Sequence, residues 1–400
     1  MSSHTAVHLR RAAFFLLCGI AACSPSDSDP LLVVQRDSAG IEIVEAMRPL
    51  WDDSSQWSID PDPVVDLTLT GSGPDHEFHR VGSMKQRPDG SLMLANRGSE
   101  EVRVYSATGE FLGSFGGRGD GPGEFANLGR VENAGDTLLA LGGGRVVVAS
   151  HDLAVIRSFS IDRYAHDLHY LRGDRVLPEL RPPILPQEGV SGLTRHPQAL
   201  ILLDLEGTRI DSIGETRGNE SYVHARDGEY GGAEPLFAKA AHIETLEGRI
   251  FRGSSDMMQV EELDMSGNLV RILRIPGYPL DLSGVQVAAE REARLEAVPA
   301  ALPAFLRRMV EDFPTPATRP AYDDILVDPS GTLWLELYRG TSEPDLPQEW
   351  LVLDAYGTWL GRVEIPDRFT VSDITMDAVL GVWRDELDVD HPQVLRLNRN

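Results

Sequence analysis

An all-β fold in which a small four-stranded sheet recurs around a closed ring is what this sequence predicts, and three observations predict it. Four hairpins share one plan: "VYSATGEFLGSF" (104–115), "LLDLEGTRIDSI" (202–213), "ELDMSGNLVRIL" (262–273) and "VLDAYGTWLGRV" (352–363). Each joins two strands through an Asp/Ser-x-x-Gly turn, in which Gly109, Gly207, Gly267 and Gly357 supply the positive φ of a type I turn with a glycine bulge. Ahead of each hairpin lies a polar turn and a strand that is apolar on both faces, as in "PDGSLMLAN" (88–96), "AGDTLLAL" (134–141), "LEGRIFRG" (246–253) and "DPSGTLWLEL" (328–337). A strand apolar on both faces belongs to a sheet covered on both sides. Third, "PQVLRLNRN" (392–400) is a strand that ends where its hairpin partner should begin, and "PVVDLTLT" (63–70) near the other end supplies that partner. Four strands per unit, about six units at intervals of roughly 40 residues or more, predict a six-bladed β-propeller whose last blade is built from both termini, leaving no open edge. Seven blades is the alternative, because "VVQRDSAGIEIVE" (33–45) is a further hairpin of the same type.

The remaining units fit the plan less closely. "VVVASHDLAVIRSF" (146–159) has the hairpin without its glycine, and 172–180 and 376–384 are weaker copies of the polar-turn strand. "GSFGGRGDGPGEF" (113–125) lies between two units. A phosphate-binding loop would need Gly-Lys-Ser/Thr and a following helix. Here a strand pattern follows, so the loop is a connection that carries the backbone from an outer strand to the next inner one, with Phe125 as anchor. Arg118-Gly119-Asp120 is an adhesion tripeptide that such a turn produces by chance. Residues 283–313 break the strand rhythm: Ser283 is an N-cap, Val285, Ala288, Ala289, Glu292 and Leu295 follow helical spacing, and Phe305, Leu306, Met309, Val310 and Phe313 share a face of a second helix beginning at Pro303. This predicts a helical hairpin insertion that caps one end of the ring, covers its channel or docks a partner.

"FLGSFGGRGDGPGEF" with the recurring Asp-x-x-Gly hairpins resembles the NHL-type six-bladed propellers. "RDSAGIEIVE" (36–45) and "LGVWRDELDVDHPQVLRLNR" (380–399) are similar to the two ends of a broad group of bacterial secreted or lipid-anchored six-bladed propellers. The resemblance spans about residues 33–400 and implies fold far more than activity.

The first 22 residues read as an export signal: Arg10 and Arg11, then an apolar run from Ala12 to Ala22 that is too short to span a bilayer. Ile20-Ala21-Ala22-Cys23 resembles a bacterial lipobox, which implies a lipid-modified Cys23 followed by a tether over 23–30 and, with Ser24, placement in the outer membrane of the cell envelope. The other cysteine, Cys18, leaves with the signal, so no disulfide and no thiol chemistry are expected. The domain reading is then a signal at 1–22, an N-terminal hairpin packed on the ring at 31–56, and the propeller at 57–400. Acidic residues number 62 against 37 basic ones, a formal charge of −25, which excludes nucleic acid as a partner.

Propellers bind at the mouth of the central channel. Aromatic residues mark the start of each inner strand (Phe78, Phe125, Tyr164, Phe237, Phe369), and the positions two further on are Arg80, Asn127, His166 and Lys239, with Tyr322 placed by a looser alignment. These five are the expected mouth residues, suited to an anionic or carbohydrate ligand. His166 and His169 in "YAHDLHY" are expected on opposite faces of a regular strand. No catalytic elbow occurs and no cofactor is predicted. The function expected is a lipid-anchored binding module facing a cell-envelope protein or glycan. The alternative is a lactonase-type hydrolase with a divalent cation held by Asn127, Asp323 and Asp373.

Overall fold

The computed structural model describes residues 31–399 apart from 52–56, 163, 182–190, 227, 300 and 302–303. The export signal, Cys23 and the tether lie outside the described residues. Six sheets of four or more strands account for most of the chain, taken here as sheets I to VI. Their innermost strands are Val81–Gln86, Leu128–Ala134, Ala165–Leu171, Ala241–Leu246, Asp324–Val327 and Phe369–Ile374. Each contacts the next in that order, and the sixth contacts the first. The ring closes.

The core follows from the same arrangement. In sheet I, Leu92 and Leu94 join Tyr105 in a cluster with Leu380, Val382 and Val394 of sheet VI. Their neighbours Met93 and Ala95 point the other way, into Leu138, Ala140 and Val147 of sheet II. Alternation within one strand therefore feeds two cores, which is why these strands are apolar on both faces. Further clusters lie between sheets II and III, III and IV, IV and V, and V and VI.

The hairpin turns have the predicted chemistry. Asp264 Oδ1 accepts from the Ser266 and Asn268 amides at 2.8 and 2.9 Å, and Gly267 sits at φ 81°. A Cβ on Gly267 would collide with the carbonyl of Ile213 in the neighbouring sheet, whereas Gly40, at φ 85°, has nothing within 4 Å of the Cβ position. Both Gly→Ala changes incur left-handed strain of about 1–2 kcal/mol; only Gly267→Ala adds a backbone clash. Its melting temperature is expected to fall clearly further than that of Gly40→Ala, and equal losses would contradict the tight packing of this turn. The glycine-rich connection is structural as read: Phe125 is fully buried, the Gly119 and Gly121 amides are bonded within the loop, and the Gly117 amide donates to the Glu100 carbonyl of sheet I.

Head and tail meet as expected. Val65 and Asp66 pair antiparallel with Val394 and Gln393, and Ser58 and Ile59 with Asn398 and Leu397, both on Asp390–Asn398 of sheet VI. Gln393 Nε2 donates to Asp66 Oδ2 at 2.7 Å, and Arg399 Nη2 donates to the fully buried Asp328 of sheet V at 2.6 Å. The Arg399 guanidinium also lies 4.5 Å from the Trp57 ring centroid. The hairpin Val33–Ser38/Ile41–Ala46 adds to the outer edge of sheet IV through a parallel pairing with Leu269–Arg274, widening that sheet to six strands.

Two helices occupy the insertion, α1 (Gly284–Ala297) and α2 (Ala304–Glu311). Ser283 caps α1 in a reciprocal box with Gln286, as the sequence requires. Met309, Val310 and Phe313 are buried as expected. The face expected of α1 is not the buried one: Val285 is 79% exposed, and Val287 and Glu290 are the buried residues. Two contacts turn the helix this way. Glu290 accepts the Thr341 and Ser342 amides, and Arg291 donates to the Val310, Glu311 and Phe313 carbonyls at the end of α2. The pair packs on a three-stranded sheet that periodicity did not reveal (Gly192–Arg195, Glu220–Arg226, Glu229–Ala233), with Tyr222 and Phe237 in the shared core.

Candidate axial site

Each inner strand has, between two axial positions, an apolar residue that enters the inter-sheet core: Met84, Val131, Leu168, Ile243, Ile325 and Ile374. Alternation turns the residues on either side of it toward the axis. The earlier flanking positions are Ser83, Arg130, Asp167, His242, Asp324 and Asp373; the later ones are Lys85, Glu132, His169, Glu244, Leu326 and Thr375. All but Asp373 and Thr375 line a cavity of about 250 Å³, and those two line a second cavity of about 450 Å³. Lys85, Glu132 and Glu244 border both, so a charged belt separates two chambers of one channel.

Ion pairs stitch adjacent sheets across this axis. Lys85 Nζ stands 3.6 Å from Glu132 and 3.5 Å from Asp373, joining sheet I to both neighbours. Arg130 pairs with Asp167 at 3.1 Å, His169 with Glu244 at 3.5 Å, and His242 faces Asp324 at 3.8 Å. Burial opposes charge on Lys85 and His169, but the surrounding carboxylates prevail and hold both pKa values well above the ordinary range. Between sheets V and VI no axial pair occurs among the described residues, and between sheets IV and V only the His242–Asp324 contact does. On sheet V Asp323, Asp324 and Glu336 gather, with burial raising their carboxyls to about 6, 7 and 8. Half of the Asp324 side chain stays accessible, because it faces the lumen, yet the lumen is deep enough to strip most bulk water. His242 cannot compensate: burial lowers it to about 4, so it is neutral, and its Nε2 is buried without a partner.

These values set a pH dependence. Glu132 (about 7), Asp323, Asp324 and Glu336 hold protons in the folded state that the unfolded chain releases, so stability falls as pH rises through about 4 to 8. His169, raised from 6.5, acts in the same direction: its contribution is complete below 6.5 and is lost as pH rises through its folded value. His242 opposes them and costs stability as pH falls from 6.5 toward about 4. The melting temperature should therefore peak near about pH 5–6 and be lower at pH 8; a higher value at pH 8 would contradict these assignments.

Of the five expected mouth residues, one lines the axial cavity. His166 stands there, 3.5 Å from Glu179. Arg80 and Asn127 line a separate cleft between sheets I and II; both sit in the left-handed region (φ 55° and 70°), a kink that ends before the strand turns to the axis. Lys239 is buried, its Nζ donating to the Phe237 and Thr318 carbonyls. Tyr322 is fully buried, with its hydroxyl on the Gln259 carbonyl at 2.8 Å. The three residues of the metal expectation are also apart: Asn127 in that cleft, Asp323 in the first chamber, Asp373 in the second. Among the described residues no group of three or more His, Cys, Asp or Glu is arranged to hold a metal ion. His166 and His169 do not face opposite ways. A register shift between Ala165 and Asp167 brings both to Glu179, at 3.5 and 3.8 Å.

The ring of inner strands, the cores between successive sheets and the polar axis define a β-propeller. No protein-family model and no curated protein matches the chain. Among solved structures it is similar, with a TM-score of 0.51 and 11% identity over 88% of this chain and 97% of the other, to a protein of Bacteroides fragilis NCTC 9343 described as exported. A member of the DUF4221 family from Bacteroides vulgatus ATCC 8482 also scores 0.51, at 10% identity over 86% and 98%. The WD40 domain of Neurospora crassa Pan2 scores 0.40 at 11% identity over 87% and 97%. At these identities the likeness concerns the fold alone.

Proposed function

We propose that this chain is an extracytoplasmic, six-bladed, NHL-like propeller, anchored in the outer membrane through a lipid-modified Cys23, that binds a ligand bearing an ammonium or guanidinium group in its first axial chamber. One observation carries the ligand chemistry. Six carboxylates (Glu132, Asp167, Glu179, Glu244, Asp323, Asp324) face three permanent cations (Lys85, Arg130, Arg181) around a single cavity, and the acids without a cationic partner, Asp323 and Asp324, stand on sheet V. A cation seated against Asp323 and Asp324 supplies the axial ion pair that sheet V lacks among the described residues. Rigid inner strands hold these groups, and the chamber is small enough for one functional group of a larger envelope component.

The export signal and lipobox support the location, as does the description of the Bacteroides fragilis neighbour as exported. The six sheets and the Asp-x-x-Gly hairpins support the blade count and the NHL likeness. Titration of the full chain with methylammonium, putrescine and arginine tests the ligand class. Asp324→Asn should weaken binding about tenfold, the loss of one charge-assisted contact, while raising the melting temperature of the ligand-free protein at pH 8, because an uncompensated acid is gone. Absence of saturable binding of all three probes, or a lower melting temperature in Asp324→Asn, refutes the reading. For the anchor, Cys23→Ser should abolish acylation by mass and partition into membranes; an unchanged membrane fraction refutes it.

A further inference from the structure

A second site lies off the axis. Between sheets I and II a cleft of about 500 Å³ is lined by Arg80, Arg97 and Arg118, with His79 and Asn127 at its border. In a chain with 62 acidic and 37 basic residues, most arginines near acids are tied to them. These three have no carboxylate within ion-pair distance among the described residues, although Glu100 and Asp120 share the cleft. Glu100 is buried and spent on the Leu128 amide at 2.6 Å.

The guanidinium groups are placed, yet retain free donors. Arg97 Nε donates to the Leu128 carbonyl at 2.9 Å and Arg118 Nη2 to the Gly98 carbonyl at 3.3 Å, each leaving the rest of its fork open. Arg80 is exposed and held at φ 55°, a conformation that arginine adopts only under constraint and that places its side chain in the cleft. Its backbone carbonyl neighbour is pinned in turn, since the His79 amide donates to Asn96 Oδ1 and the Gly98 amide to the His79 carbonyl. The glycine loop forms one wall, where the Gly117, Gly119 and Gly121 amides are taken by the Glu100 carbonyl, the Phe125 carbonyl and the Glu124 carboxylate. Recognition here therefore falls to side-chain forks, whose planar paired donors match a tetrahedral or planar oxyanion.

We propose that this cleft binds an oxyanion, a phosphate or sulfate group, through Arg80, Arg97 and Arg118, independently of the axial chamber. The two sites take opposite charges, so one failing leaves the other untouched.

The test is calorimetric titration of the full chain at low ionic strength with inorganic phosphate and, separately, inorganic sulfate; the arm that binds more tightly identifies the group. Arg80→Gln and Arg118→Gln should each weaken binding about tenfold, and the triple Arg→Gln variant should lose it. Arg157→Gln, on the outer strand of sheet II and paired with Glu206, should bind as the unaltered protein does. Thermal melts establish that the variants fold, and Arg80→Lys should recover only part of the lost affinity, because charge returns without the fork. No saturable binding of either anion, or equal binding by the triple variant, overturns the proposal.

Discussion

Replacing Lys85 by methionine is expected to destabilise the protein by about 3–5 kcal/mol, the usual loss when one partner of a buried ion pair is removed. The Lys85 side chain is 19% exposed and its partners Glu132 and Asp373 are 21% and 20% exposed, so solvent cannot take over its role. Even beside this ammonium, burial holds Glu132 near about 7 and Asp373 above the ordinary aspartate value. Without it both carboxyls rise further. A folded-state carboxyl whose pKa exceeds its unfolded value loses stability as pH rises between the two, so the deficit of Lys85→Met should be larger at pH 8 than at pH 5. Urea unfolding at the two pH values reads this. A deficit that does not change with pH would mean that Lys85 acts through packing of its stem alone.

The second large effect is at the seam. Arg399→Ala is expected to lose about 3 kcal/mol. Asp328 is fully buried and keeps bonds from the Ser330 and Thr332 amides and from Trp334 Nε1, but Arg399 is its only cation among the described residues. The same guanidinium bonds the Thr375 carbonyl and stacks on Trp57, so one side chain near the C-terminus holds sheet V, sheet VI and the N-terminal segment. Arg399→Lys should recover less than half of the loss, since an ammonium cannot span these partners as a planar fork does. Chemical denaturation of both variants decides it, and full recovery by lysine would reduce Arg399 to a point charge.

The ring was legible in the sequence because its signals are local. Asp264 and Gly267 form their turn within five residues, and "LML" at 92–94 announces burial on both faces without reference to any other part of the chain. Closure was legible because a strand at 392–399 lacked a partner. The axis was not read correctly, and the reason is register. Counting two residues on from each aromatic assumes a regular strand. Left-handed residues at Arg80 and Asn127 and register shifts at Val81/Met84, Ala165/Asp167 and Val371/Asp373 all intervene. A usable signal was present further along: a single apolar residue between polar ones, as in Ser83-Met84-Lys85, Arg130-Val131-Glu132 and His242-Ile243-Glu244. The small sheet under α1 and α2 escaped because two of its strands, Gly192–Arg195 and Glu229–Ala233, are short and contain glycine.

The seam itself admits the most direct test. The Asp60 amide donates to the Arg396 carbonyl, which makes Ile59 and Leu397 a non-hydrogen-bonded antiparallel pair, the kind with closely approaching side chains. In a Cys18→Ser/Cys23→Ser background, Ile59→Cys with Leu397→Cys should oxidise to an intramolecular disulfide. Because the bond closes almost the whole chain, it should raise stability by up to about 5 kcal/mol on the chain-entropy model. Formation of that disulfide, seen by mass and by mobility without reductant, is the result that ring closure by head and tail requires. Two thiols that remain free under oxidation in the folded protein would contradict it.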